Sequence, residues 1–117
     1  MEATTWKGGG ESFGIRVGHE NAEKYFKKEW TDVEVKIGNK FQRFNLAMTF
    51  WTKCPEIRGV EIKKWLEKKN MHRWNRNMPY VLDLEPLGYK RFELIDPGDE
   101  RRTKKIDTID FEIEGDE

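Results

Sequence analysis

Val33-Glu-Val-Lys-Ile-Gly-Asn-Lys-Phe-Gln-Arg-Phe-Asn-Leu46 is the stretch on which the reading of this chain turns. Val33, Val35 and Ile37 alternate with Glu34 and Lys36, which is the period-two pattern of a half-buried strand. Gly38-Asn39 is a two-residue turn signal, and Phe44, Leu46 and Met48 carry the apolar alternation back on a second arm, so a β-hairpin is expected. The same pattern recurs at an offset of 48, where Val81-Leu-Asp-Leu-Glu-Pro-Leu-Gly-Tyr-Lys-Arg-Phe-Glu-Leu94 aligns on the first stretch without gaps. Val33/Val81, Arg43/Arg91, Phe44/Phe92 and Leu46/Leu94 are identical, and Phe41/Tyr89 pairs two aromatics. In both copies that aromatic falls out of phase with the later Phe and Leu, as a bulge after the turn would require. Two readings stay open: a helix-plus-hairpin pseudo-repeat, or two amphipathic hairpins that share only their pattern.

Each hairpin is preceded by a short helical pattern. Ala22, Tyr25 and Phe26 fall at i, i+3 and i+4 behind Asn21, a candidate N-cap, with Glu23, Lys24, Lys27 and Lys28 facing water. Ile62, Trp65 and Leu66 repeat the stripe, and Asn70 offers a stop. Phe13, Ile15 and Val17 make a leading strand. Residues 49–56 read as a connector, because Pro55 drives Cys54 out of helical geometry. Tyr80, Leu82 and Leu84 begin the second hairpin, and Ile109, Phe111 and Ile113 mark a trailing strand after the Asp96-Pro97-Gly98-Asp99 turn. Residues 1–12, with Gly8-Gly9-Gly10, read as a flexible arm anchored by Trp6, and 13–117 as one globular domain.

The expected fold class is therefore α+β and β-rich: a small, partly open barrel of six to seven strands with two short helices plugging its ends, since closure removes the edges that short hairpins would expose. The order strand, helix, hairpin, helix, hairpin over residues 13–95 resembles the DNA-binding pseudobarrel superfamily, which includes the plant B3 domain and the effector-binding domains of some restriction endonucleases. That resemblance implies contact with DNA through exposed loops and strands on one side of the barrel. It carries no diagnostic motif, and no contact residue transfers from it position by position.

The 117 residues suit one domain. Five Trp, seven Phe and three Tyr argue against disorder despite 38% charged residues. No apolar run exceeds three residues, far short of the ~18 of a membrane span. The first ten residues lack the apolar core of a secretory signal, and the single Cys54 leaves no internal disulfide, so an intracellular, cytoplasmic setting without membrane contact is expected.

Lys+Arg and Asp+Glu both number 22, but the zero balance is a sum of unlike parts. Residues 106–117 hold six acids and no base, leaving 22 basic against 16 acidic residues in 1–105. That acidic end reads either as an edge strand or as a tail laid over a basic surface. Within the body, Arg58 to Arg76 holds seven bases and two acids, and Arg101-Arg-Thr-Lys-Lys105 forms a second cluster. Lys63, Lys64, Lys68, Lys69, Arg73, Arg76, Arg101, Arg102, Lys104 and Lys105 are candidate phosphate ligands, and Trp74 between Arg73 and Arg76 a candidate stacking ring.

Catalytic chemistry has thinner support. Cys54 follows Lys53, which would lower a thiol pKa, and His72 is the candidate base, yet Cys is also a common core residue. His19 and His72 stand too far apart for a zinc ligand pair, Asp83 and Glu85 read as solvated strand acids, and Gly8-Gly9-Gly10 lacks the ending of a phosphate loop. No cofactor is expected. The expected function is a non-enzymatic domain binding DNA or RNA; the alternative is a small protein-interaction module or inhibitor anchored by Trp6, Trp51 or Trp74. The oligomeric state is left open.

Overall fold

The computed structural model describes residues 1–10, 12–75 and 77–97. Seven strands and two helices follow in chain order: β1 Glu2–Lys7, β2 Phe13–Arg16, α1 Gly18–Tyr25, β3 Asp32–Ile37, β4 Lys40–Asn45, β5 Glu56–Arg58, α2 Val60–Lys68, β6 Val81–Gly88 and β7 Arg91–Ile95. They form one sheet in the order β4-β3-β7-β6-β1-β2-β5, with every neighbouring pair antiparallel except β3 and β7. The sheet curls into a partly open, β-rich barrel. Its two edges approach where Phe44 of β4 presses on Gly59 just beyond β5; a Cβ on Gly59 would fall 2.6 Å from the Phe44 ring.

Strand alternation sorts the side chains as period two requires. Ile15, Val33, Val35, Leu82, Leu84 and Phe92 are buried in the barrel. Ile62, Trp65 and Leu66 of α2 are buried too, and α2 packs against β2 and β3. After α1, Phe26 stacks on Phe92 with ring centroids 4.7 Å apart, and Trp30 and Phe50 pack around it. The β6–β7 turn is latched to the start of β3: Lys90 Nζ donates to Asp32 at 2.9 Å and Arg91 Nε to Glu34 at 3.0 Å, while Arg43 lies 2.6 Å from Asp32. Lys90 lowers the Asp32 pKa mainly by this hydrogen bond, and Asp32 raises that of Lys90 in return.

Several expectations are corrected. Residues 2–7 are not a flexible arm but the strand β1, inserted between β6 and β2. Ala3 and Thr5 point into the core, and Thr5 Oγ1 accepts the Tyr80 backbone N–H at 3.0 Å. The glycines belong to the β1–β2 connection, where Gly8 N–H bonds the Ser12 carbonyl at 2.9 Å. The connector ends in an unexpected strand: Glu56 opens β5, whose Ile57 is core and pairs with Ile15. Asn21 is not the N-cap, since Val17 holds that position; the Asn21 side-chain amide donates instead to Val17 O at 3.0 Å and Glu2 O at 2.7 Å, tying α1 to β1. Met48 lies beyond the end of β4 and is 99% exposed, and Tyr80 lies before β6 and is 41% exposed.

The gapless repeat does not survive at the level of register. Phe44 faces Val33, but its counterpart Phe92 faces Pro86 rather than Val81. Gly38 turns the first hairpin at φ +65°; Pro86 is confined to negative φ and cannot do so near the aligned place, and the second turn slips to Tyr89-Lys90, with Lys90 at φ +58°. A single register shift sits between Pro86 and Gly88, before the turn, whereas the first hairpin is regular. Only the order helix then hairpin recurs. The expected trailing strand and acidic end at 106–117 lie outside the described residues. Among the described residues, no helix is long and apolar enough to cross a membrane.

Candidate nucleic-acid interface

The site begins with the alternation of β1. With Ala3 and Thr5 turned inward, Thr4 and Trp6 take the opposite face. The register puts Gly14 opposite Trp6 on one side and opposite Arg58 on the other. Gly14 has no side chain to separate them, and the Arg58 guanidinium lies 5.4 Å from the centre of the Trp6 ring. Gly8 closes on the same indole: a Cβ there would sit 2.5 Å from its Cη2. Lys7 and Lys63 lie 5.4 Å and 5.9 Å from the centre of the Phe13 ring, and Trp74 meets Phe13 edge to face at 6.3 Å.

These side chains border three adjoining hollows. The largest, about 650 Å³, is lined by Trp6, Lys7, Arg16, His72, Arg73 and Trp74 together with the β1 backbone. Arg73 and Trp74 are shared with a second, about 480 Å³, that extends to Met78 and Tyr80. A third, about 210 Å³, opens over Phe13, Arg58 and Lys63. Among the described residues, no acid lines any of the three. Arg16 lies 3.9 Å from Glu56, itself buried. The cations of the β6–β7 latch, by contrast, are matched by Asp32 and Glu34 on the spot.

No family model, no curated protein and no solved structure matches this chain. Its function is accordingly read from the chemistry of its own site.

Of the residues expected to contact phosphate, the fold brings Lys63, Arg73 and Trp74 together. Lys64 is exposed on α2 and lines none of the three hollows. Lys68 and Lys69 are carried to the far end of α2, beside the Gly38-Asn39 turn, where Lys69 pairs with Asp96. Helix geometry explains the division, because at ~100° and ~1.5 Å per residue Lys63 and Lys69 differ by about 240° in direction and 9 Å in height. Arg76, Arg101, Arg102, Lys104 and Lys105 lie outside the described residues. The fold adds Lys7, Arg16 and Trp6, which the sequence clusters do not contain, and sets Arg58 among them. The period-two alternation of Thr4 and Trp6 could have signalled this face, had residues 2–7 been read as a strand.

Cys54 is exposed rather than core, and the histidine beside its neighbour is His19, whose Nε2 lies 3.2 Å from the Lys53 carbonyl oxygen. Among the described residues, no group of three or more His, Cys, Asp and Glu is placed to hold a metal ion.

Proposed function

We propose that this chain is a non-enzymatic nucleic-acid-binding domain whose contact surface is the groove between β1 and the loop around His72 to Trp74. The observation that carries this reading is the composition of the hollows: Lys7, Arg58 and Arg73 interleaved with Trp6, Phe13 and Trp74, with no carboxylate among the described linings. Phosphates need cations that are not already neutralised by neighbouring acids, and bases need aromatic faces or edges; their alternation fits a polymer that alternates the two. The resemblance in element order to the pseudobarrel superfamily supports the same class of partner. A Trp-anchored protein interface has less to stand on. Trp6 is covered by Gly8 and Arg58, and Trp51 packs on Phe50 with Lys28 5.8 Å from its ring centre.

The test is a fluorescence anisotropy titration of labelled mixed-sequence oligonucleotides, single-stranded and duplex, DNA and RNA, at about 50 mM salt, where phosphate contacts are strong. Binding is expected, and the double substitution Arg16→Glu with Arg73→Glu should abolish it while the melting curve stays cooperative. Absence of binding to all four forms would overturn the proposal.

A further inference from the structure

Resting on that reading, we infer that the occupant of the groove is a single strand, held by stacking at Trp74 and Tyr80 with Arg73 on the phosphate between, and that duplex is a poor ligand. The argument starts from what each form of nucleic acid presents. A duplex keeps its base faces stacked inside and offers phosphate ridges and groove edges; reading those edges takes a helix or ribbon that protrudes into a groove about 12 Å wide. This surface is the converse, a set of recesses whose aromatic members line the concavity beside the cations. Aromatic rings in such a recess gain nothing from a stacked duplex, whereas a single strand can turn its bases into it.

The three rings near β1 do not play equal parts. Trp6 is already engaged, with Gly8 packed on its indole and Arg58 over the ring, so it acts as a positioning residue that orients Arg58. Phe13 is buried and is the ring against which Trp74 rests. Trp74 is half-buried and borders two hollows at once, and Tyr80 stands exposed in the second of them. One base at Trp74 and the next at Tyr80 place their connecting phosphate beside Arg73, which lines both hollows. The following phosphates run along β1 past Lys7 and Arg16. Among the linings of the two hollows, Asn75 and His72 are the side chains best suited to read base edges, so the preference among bases should be weak.

Competition anisotropy on the full chain tests this. The probe is a labelled dT12 or U12 strand, and the competitors are a 12-base-pair duplex of mixed sequence, unlabelled mixed single strands and inorganic polyphosphate. Single strands are expected to compete at least tenfold better than duplex. Trp74→Ala and Tyr80→Ala should each weaken single-strand binding about tenfold and leave the weak duplex binding unchanged, with Trp74→Phe restoring most of it. Tyr80 is exposed, so Tyr80→Ala keeps the test decisive if Trp74→Ala disturbs the packing on Phe13. Equal or tighter duplex binding overturns the inference but leaves the nucleic-acid reading standing. Polyphosphate competing as well as single strands, or single-strand binding that responds to Arg73→Ala but to neither ring substitution, overturns the stacking. No binding by any nucleic acid removes both.

Discussion

Gly14→Ala is the smallest change that should open the barrel and disturb the site together. Gly14 lies in β2 where β5 approaches most closely, and a Cβ there would stand 2.3 Å from the Ile57 carbonyl oxygen and 3.0 Å from Arg58 Cα. The obstacle is backbone, which no rotamer change can move. To reach a close carbon–oxygen contact of ~3.3 Å, β5 must retreat by about 1 Å, and a ladder bond of ~2.9 Å stretched by that much is no longer a hydrogen bond. The register between β2 and β5 comprises Gly14/Arg58, Ile15/Ile57 and Arg16/Glu56. Losing two or three ladder bonds at ~1 kcal/mol each costs about 2–3 kcal/mol, within the range for overpacking a core. At ~4–8 °C per kcal/mol for a domain of this size, the melting temperature should fall by roughly 10–20 °C. Circular dichroism melts of Gly14→Ala and Gly9→Ala make the comparison, since Gly9 has open space around its missing side chain and should change the midpoint little. A Gly14→Ala midpoint within about 3 °C of the unaltered chain would refute the account of close β2–β5 packing. Because β5 carries Arg58, oligonucleotide affinity in the folded variant should fall as well.

Three further predictions follow from the same geometry. Five of the described cations border the groove (Lys7, Arg16, Arg58, Lys63, Arg73). At ~0.7 per phosphate on a single strand, full engagement of these five gives a slope of log K against log salt of about −3.5, a loss of roughly a hundredfold from 50 to 200 mM. Arg73→Ala should lower that slope by ~0.7, whereas Lys69→Ala, which removes the partner of Asp96, should leave it unchanged; equal effects of the two would show that the groove is misplaced. Phe92→Ala, under the stack with Phe26, should cost about 3–5 kcal/mol in urea unfolding, and a cost below ~1 kcal/mol would mean that the interior is not packed this way. For pH, Asp32 is held below its ordinary 3.8, so its contribution is complete above that value and is lost as pH falls through and below it. Lys90 is held above 10.5, so its contribution is complete below that and is lost as pH rises past it. Asp32→Asn should flatten both limbs of a plot of urea midpoint against pH; a curve merely displaced, parallel to the original, would contradict the latch.

Period-two and helical spacing are local properties, and they were legible residue by residue. Ile15, Val33, Val35, Leu82 and Phe92 are core because their neighbours in sequence alternate with them, and Ile62, Trp65 and Leu66 are core because a helix puts them on one stripe. What escaped were the segments whose apolar signal is too short to show a period. β5 has three residues and one core side chain, and β1 uses Thr5 as an inward residue, a type that looks polar until its hydroxyl is seen accepting the Tyr80 amide. The pseudo-repeat misled for a related reason. Matching residue types report faces, whereas register is set by the turn, and Pro86 moved the turn.

The amino-acid order alone thus determined a β-rich domain, its two helices, most of its core and an uneven spread of charge, because each depends on contacts within a few residues. It could not assign the charges to surfaces. Lys63 and Lys69 are six positions apart and serve opposite ends of a helix, while Trp6, Arg16, Arg58 and Arg73 are scattered over 68 positions and border the same stretch of surface. Only closure of the sheet brings them into proximity: inserting β1 between β6 and β2 sets Trp6 beside Gly14 and, through that glycine's missing side chain, beside Arg58. Charge is additive along a chain, but a binding surface depends on which cations share a face without acids among them, and that is a property of the sheet order.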